Sequence, residues 1–270
     1  MKTSIQRFHQ HLIDSHLAVN TIKAYMTAVE LYSSMFTELD ADSLDRYKSH
    51  LTKFFKPQTV NQRILAINRF LKFMGKGNLA LPIIKMQNIS FSDNIVSRRD
   101  YNRLKQGLLS DGEIRWYFMI WTMGATGARV SELVKIRIED IMAGYVDILS
   151  KGNKTRRLFF PRTLSREVRR WSAEEGGLTG YLFLNKSGDV ISTRGYSMHL
   201  KTIADRYGLD KSCVHPHSFR HMYAKAFLDK RSDISTLADL LGHENIKTTQ
   251  IYLRRSCDEQ RTIIDNVVTW

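Results

Sequence analysis

Apolar side chains recur along the first part of the chain at helical spacing. In "IQRFHQHLIDSHL", Ile5, Phe8, Leu12 and Ile13 fall on one stripe, and in "TIKAYMTAVELYSSMF" Ile22, Tyr25, Met26, Val29 and Tyr32 do the same. Steps of three and four residues gather side chains on one face of an α-helix. Asn20 and Thr21 supply an N-terminal cap signal before the second run. "LDADSLDRYKSHL" and "KPQTVNQRILAINRFLKFM", the latter with Pro57 near its start, complete a set of four helices over residues 1–75. Arg63, Arg69 and Lys72 lie between the apolar positions of the fourth helix. Each taken alone is what a solvated helix face presents.

"GKGNLALPIIKMQNISFSDN" breaks the periodicity with two glycines and a proline, and residues 76–96 read as a linker. A different texture follows over residues 97–270. "SRRDYNRLKQGL" has helical spacing. "DGEIRWYFMIWTMGATG" is almost wholly apolar, which predicts a buried helix. "GYVDILSKGNKTRRLFFP" alternates apolar and polar residues on both sides of Gly-Asn, the pattern of a β-hairpin. Further helices are predicted around 162–175, 192–207, 216–230, 233–241, 247–254 and 257–268. The predicted fold class is therefore mainly α with a small β-sheet, a helical N-terminal domain preceding an α+β domain.

Composition narrows the partners. Of 270 residues 43% are apolar, enough for one large core or two smaller ones. No apolar run approaches the roughly 20 residues of a membrane span, and no signal segment opens the chain. Cys213 and Cys257 are too few for a disulfide framework or a Cys-pair zinc site, which fits a reducing, cytoplasmic setting. Lys and Arg number 41 against 27 acids, a net charge of +14. Such an excess attracts polyanions and makes binding fall with salt. A membrane surface is the second candidate, but neither a basic amphipathic terminal helix nor a lipidation motif supports it.

Four segments carry possible chemistry. "GATGARVSELVKI" sets Arg129 and Glu132 three apart, on one helix face, where the acid can orient the guanidinium; the same spacing also suits a surface ion pair. "SKGNKT" puts Lys151 and Lys154 at the hairpin tip. It does not satisfy the phosphate-loop pattern, and a solvated basic turn has the same sequence, yet a lysine at such a tip can enter a groove and act as an acid. "HPHSFRHMYAKAFL" contains His215, His217 and His221, which raises the question of zinc. The glutamate of a zinc-protease helix is absent and Arg220 sits among the histidines, so an anion suits the segment better than a metal. His217 and Arg220 can approach one side of a phosphate, with the guanidinium giving two parallel donors. His221 reads as a structural histidine. Finally, in "LGHENIKTTQIYLRR" His243 follows Leu-Gly at a turn, and Tyr252 lies nine residues on, in the next predicted helix. A phenol with a pKa of about 10 needs neighbouring cations to become a nucleophile at neutral pH. The same cations would stabilise a pentacoordinate phosphorane.

Arg129, a hairpin lysine, His217-x-x-Arg220, His243 and Tyr252, in that order, resemble the tyrosine recombinase (integrase) family. "TGARVSEL", "KGNK", "HSFRH" and "LGH…Y" look like its sequence boxes, and Phe219 stands where the family's usual motif has leucine. The resemblance implies that residues 1–75 form a core-DNA-binding domain and 97–270 a catalytic domain. It implies that Arg129 and Arg220 clamp the scissile phosphate while His217 and His243 hydrogen-bond its oxygens. Lys151 would protonate the leaving 5′-oxygen, with Lys154 left open as the alternative, and Tyr252 would attack. Glu132 takes the accessory acidic position, with His221 accessory beside it. The implied reaction runs through a 3′-phosphotyrosyl intermediate and a Holliday junction, in a tetramer on double-stranded recombination sites. It needs no ATP, cofactor or metal, and it can involve accessory DNA-bending or directionality proteins. No segment precedes the helical domain, which suggests a compact Xer-like or mobile-element integrase. The rival readings are a type IB topoisomerase and a non-catalytic DNA-binding factor. After the tyrosine, Ile263, Ile264, Val267 and Val268 form one more apolar stripe, too short to stand alone. It must dock on its own domain or on a neighbouring protomer.

Overall fold

The helical periodicity is realised along most of the chain. The computed structural model describes residues 2–85, 95–150, 154–185, 187–243, 245–253 and 257–268, in two units, Met1–Ile89 and Ser90–Trp270. In the first, α1 (Lys2–Asp14), α2 (Val19–Met35), α3 (Ala41–Phe54) and α4 (Pro57–Phe73) enclose one apolar core. Tyr32 and Tyr47 are fully buried there with their hydroxyls satisfied. Tyr32 donates to the Glu38 carbonyl at 2.7 Å and Tyr47 to the Ala28 carbonyl at 3.0 Å. Helix α3 opens with a reciprocal capping box between Asp40 and Ser43, and α4 opens on Pro57, whose missing N–H costs nothing in a first turn.

Helix α2 begins earlier than its cap signal. Its N-cap is Ala18, which makes no side-chain bond, and Asn20 and Thr21 lie within the first turn. Leu17 and Ile22 on either side pack into the core, so tertiary contact outweighs the local cap preference. After α4 a 3-10 turn (Gly77–Leu79) leads into an extended stretch that α4 holds by its amides. Asn68 bonds the N–H and C=O of Leu81, and Asn61 those of Ile84, all at 2.7–2.9 Å.

The second unit contains α5 (Arg98–Ser110), α6 (Ile114–Thr126), α7 (Val130–Leu133) and α8 (Ile138–Ala143), then strands β1 (Tyr145–Ser150) and β2 (Lys154–Phe159). Helices α9 (Arg162–Glu174), α10 (Thr193–Arg206), α11 (Pro216–Lys230), α12 (Ile234–Leu241), α13 (Ile246–Gln250) and α14 (Cys257–Val267) follow. The nearly all-apolar α6 is the buried helix expected of it, packed against α5, α9 and α11. The strands pair antiparallel from Tyr145–Phe159 to Ser150–Lys154, with Ile148 opposite Arg156. The Gly-Asn turn between them lies outside the described residues.

A smaller cluster of Ala224, Leu228, Leu237, Leu241 and Tyr252 joins α11 and α12 to a 3-10 turn, Ile251–Leu253. The single helix expected over 247–254 is thus five residues of α13 tightened into 3-10. The tighter winding ends with the Tyr252 ring inside the cluster. Helix α14 forms, but Ile264 and Val267 on it are 58% and 62% exposed; the side chain of Ile263 lies outside the described residues. Among the described residues no helix is long and apolar enough to cross a membrane.

Candidate active site

Arg220 is the centre of the site. It lies on α11, whose N-terminus is set by Pro216 and by His215, whose Nδ1 accepts the Ser218 N–H at 3.2 Å. The residue is only 3% exposed. Its Nη1 donates to the Gly127 carbonyl at 2.8 Å, and its Nη2 to the Leu241 carbonyl at 2.7 Å and to His243 Nε2 at 2.9 Å. The Tyr252 hydroxyl is close enough to interact with its charge. Burial pulls its pKa below the ordinary arginine value, Tyr252 opposes the shift, and Arg129 adds to it. A guanidinium stays charged even so. Gly127 and Gly242 end α6 and α12 in the left-handed conformation, φ +61° and +62°, and turn helix C-terminal carbonyls toward the arginines. Those carbonyls carry the negative end of the helix dipole.

Arg129 caps α7 beside this cluster, its side chain 36% exposed. Nη1 reaches Glu132 Oε1 at 2.9 Å and Nη2 the Gly242 carbonyl at 3.2 Å, while its backbone N–H donates to Glu132 Oε2 at 2.8 Å. Glu132 therefore orients the guanidinium, and it is no exposed surface partner: its side chain is 9% exposed. It also holds a second arginine, Arg156 of β2, at 2.5 Å. Burial would raise the Glu132 carboxyl, but the charge of Arg156 and hydrogen bonds from both arginines hold it below the usual range. Removing one member of such a buried pair typically costs about 3–5 kcal/mol.

His243 follows Gly242, and its Nδ1 lies 2.8 Å from the Oγ1 of the fully buried Thr249. Because arginine cannot accept, Nε2 must accept from Arg220, so Nδ1 carries the proton and donates to Thr249. Burial, then the charges of Arg220, Arg129 and Arg156, push His243 down to about 4. The imidazole is neutral at pH 7.

Tyr252 is 6% exposed. Its ring lies parallel to that of His243, centroids 6.0 Å apart, and meets His221 edge-on at 4.5 Å. His221 is pushed down to about 4, first by burial and then by Lys225, His217 and His215. Its buried Nδ1 has no hydrogen-bond partner among the described residues. His217 is exposed on the first turn of α11, near enough to His221 for their charges to interact, and its ring is open to a ligand. Arg129, Glu132, Arg220, His243, Tyr252 and His221 are thus brought together, with His217 at the edge. Lys151 lies outside the described residues, as does the side chain of Lys154. Among the described residues, no group of three or more His, Cys, Asp or Glu is placed to hold a metal ion.

Arg156 and Thr249 escape the sequence reading. A signal for Arg156 does exist: in the strand alternation it shares a side with Leu158, which is buried. Thr249, in a run of polar residues, has none. A groove of about 1460 Å³ opens beside Arg129, Glu132, Arg156 and His243, with Lys135 and Arg137 also on its wall.

Comparison with known proteins bears on the same segments. Residues 95–259 match the phage integrase family. The chain is 27% identical over 271 residues to tyrosine recombinase XerD of Listeria innocua serovar 6a, covering 90% of this chain and 91% of that protein. It is 36% identical over 210 residues to tyrosine recombinase XerC of Lactobacillus delbrueckii subsp. bulgaricus, covering 72% and 71%. Its fold is similar to that of a lambda integrase dimer bound to a COC′ core site, with TM-score 0.74 at 14% identity over 93% of this chain and 94% of that one.

Proposed function

Given that this chain belongs to the phage integrase family and is a site-specific DNA recombinase, we propose that Tyr252 is its nucleophile and that Arg129 and Arg220 clamp the scissile phosphate. One observation carries this reading. A buried guanidinium, Arg220, bonds the His243 imidazole and interacts with the Tyr252 hydroxyl, with Arg129 close enough to perturb its charge. The two fixed cations stabilise the charge that grows on the phosphoryl oxygens. The tyrosine oxygen attacks phosphorus, its proton passing to solvent, and the 5′-oxygen leaves with a proton from Lys151, or from Lys154 if that is the lysine that enters the site. A 3′-phosphotyrosine conserves the bond energy for rejoining, and exchange proceeds through a Holliday junction.

His243 must change partner in this scheme. As it stands, Nε2 accepts from Arg220 and cannot donate. An arriving phosphate takes over the guanidinium and, being negative, raises the histidine pKa. The resulting imidazolium can donate to a phosphoryl oxygen, and His217 approaches the same phosphate from its exposed position. The net charge of +14 draws DNA to the protein, with residues 1–75 as the core-DNA-binding domain.

The charge stabilisation assigned to arginine and histidine gives a direct test. The probe is a nicked duplex whose sequence is recovered from a random library by selection for binding to this protein. Covalent protein–DNA adduct, seen on a denaturing gel, is expected at undiminished yield in excess EDTA. Loss of adduct on chelation, restored by magnesium, would overturn the assignment.

Assembly on DNA as a tetramer is proposed on the exposure of α14. With Ile264 and Val267 uncovered, a short helix gains its stability by packing on another protomer. Docking so close to Tyr252 would couple one nucleophile to its neighbour. Truncation after Arg255 is expected to leave single half-site binding intact and to weaken cooperative complexes and strand exchange in gel-shift and recombination assays. Full-rate recombination by the truncated chain would remove this role.

A further inference from the structure

Arg156 is a buried cation to which the chemistry above gives no task. It stands on β2 where the alternation calls for an apolar side chain, between the hairpin tip and the buried Leu158. Its Nη2 holds Glu132 Oε2 at 2.5 Å, and its Nη1 donates to the Leu240 carbonyl at the end of α12. Its stem lies flat against Gly242, so that a Cβ there would stand 2.3 Å from Arg156 Cδ. Both supports of the Arg129 side chain are thereby in contact with Arg156: Glu132 at one end, the Gly242 peptide at the other. His243 is the next residue in the chain, and Arg156 contributes to keeping it neutral. Stability alone is a poor reason for burying these charges, because a well-packed apolar set is usually at least as stable as a buried ion pair.

We infer that Arg156 is a positioning residue for DNA cleavage: it locks Glu132 to the C-terminal turn of α12, so that Arg129 and His243 keep one geometry toward the phosphate. Because β2 begins at Lys154, the same lock anchors the strand that leaves the lysine-bearing tip. This rests on the reading of Arg129 and His243 as phosphate ligands. Arg156 itself touches no reacting atom.

The test is single-turnover adduct formation by the full chain on the selected nicked duplex across a range of pH, with half-site affinity and thermal unfolding measured in parallel. Arg156→Met is expected to slow cleavage about 10²-fold, the scale of a small misplacement of catalytic groups, with affinity nearly unchanged. Arg156→Lys should recover part of the rate, because a single ammonium cannot span Glu132 and Leu240 together. The acid limb should also move. Arg156 helps hold the Glu132 carboxyl low, so its loss raises that pKa, and cleavage begins to fail at a higher pH than in the wild type. If Arg156→Met does not fold, Arg156→Lys decides the matter. A folded variant with wild-type rate and an unmoved acid limb overturns the inference. So does a rate loss that merely follows the fraction unfolded. Adduct formed by Tyr252→Phe would instead overturn the assignment of the nucleophile.

Discussion

Tyr252→Phe is expected to reduce covalent attachment to DNA below detection while leaving the fold and DNA binding close to wild type. The ring is packed among Ala224, Leu228, Leu237 and Leu241, and phenylalanine keeps all of that contact. Only the hydroxyl is lost, and with it an interaction with Arg220 no stronger than one hydrogen bond. A single such hydrogen bond contributes about 0.5–1.5 kcal/mol, more when one partner is charged, so the melting temperature should fall by a few degrees at most. With the hydroxyl gone the proposed nucleophile is absent, so no adduct should form. The measurement is trapping on a nicked duplex and a denaturing gel, with gel-shift affinity as the control. Wild-type adduct yield from the phenylalanine variant would exclude Tyr252.

The second large effect belongs to Arg220. Arg220→Ala and Arg220→Lys are each expected to lower the single-turnover cleavage rate by at least about 10²–10³, the scale for removing one donor to a developing oxyanion. Lysine keeps the charge but cannot reproduce the planar fork that meets Gly127, Leu241 and His243 together. The two variants should differ in stability. Alanine strands two buried carbonyls at about 1–3 kcal/mol each, whereas an ammonium can still satisfy part of that set. Cleavage by the better folded lysine variant is therefore the cleaner reading. A rate within tenfold of wild type would remove Arg220 from the phosphate clamp.

How far the chain could be read differs from residue to residue, and the reasons are physical. Stripes such as Ile22, Val29 and Tyr32 predict their helices because burying one face of a helix imposes its own period. Arg129, His217, Arg220, His243 and Tyr252 stood out because their order resembles that of the tyrosine recombinase family; taken singly, each suits a surface or core position as well. Helix boundaries were harder. At Ala18 the core contacts of Leu17 and Ile22 outweigh the cap preference of Asn20, and neither contact is local. The 3-10 turn at Tyr252 was invisible, since over five residues the periods 3.0 and 3.6 barely differ. Arg156 was missed because its partners come from residues 132 and 240, far away in sequence.

The carbonyls that receive the three arginines have a consequence for how this protein tolerates change. Gly127, Leu240, Leu241 and Gly242 hold guanidinium groups through their peptide oxygens, which every amino acid possesses. Exchanging Leu240 or Leu241 for another apolar residue leaves the acceptor in place, so a side-chain scan across this turn would register packing and be blind to the acceptors themselves. The vulnerability lies in the path of the main chain. Replacing a leucine-to-next-residue amide by an ester, which weakens the carbonyl as an acceptor without altering any side chain, would expose a contribution that ordinary mutagenesis cannot reach.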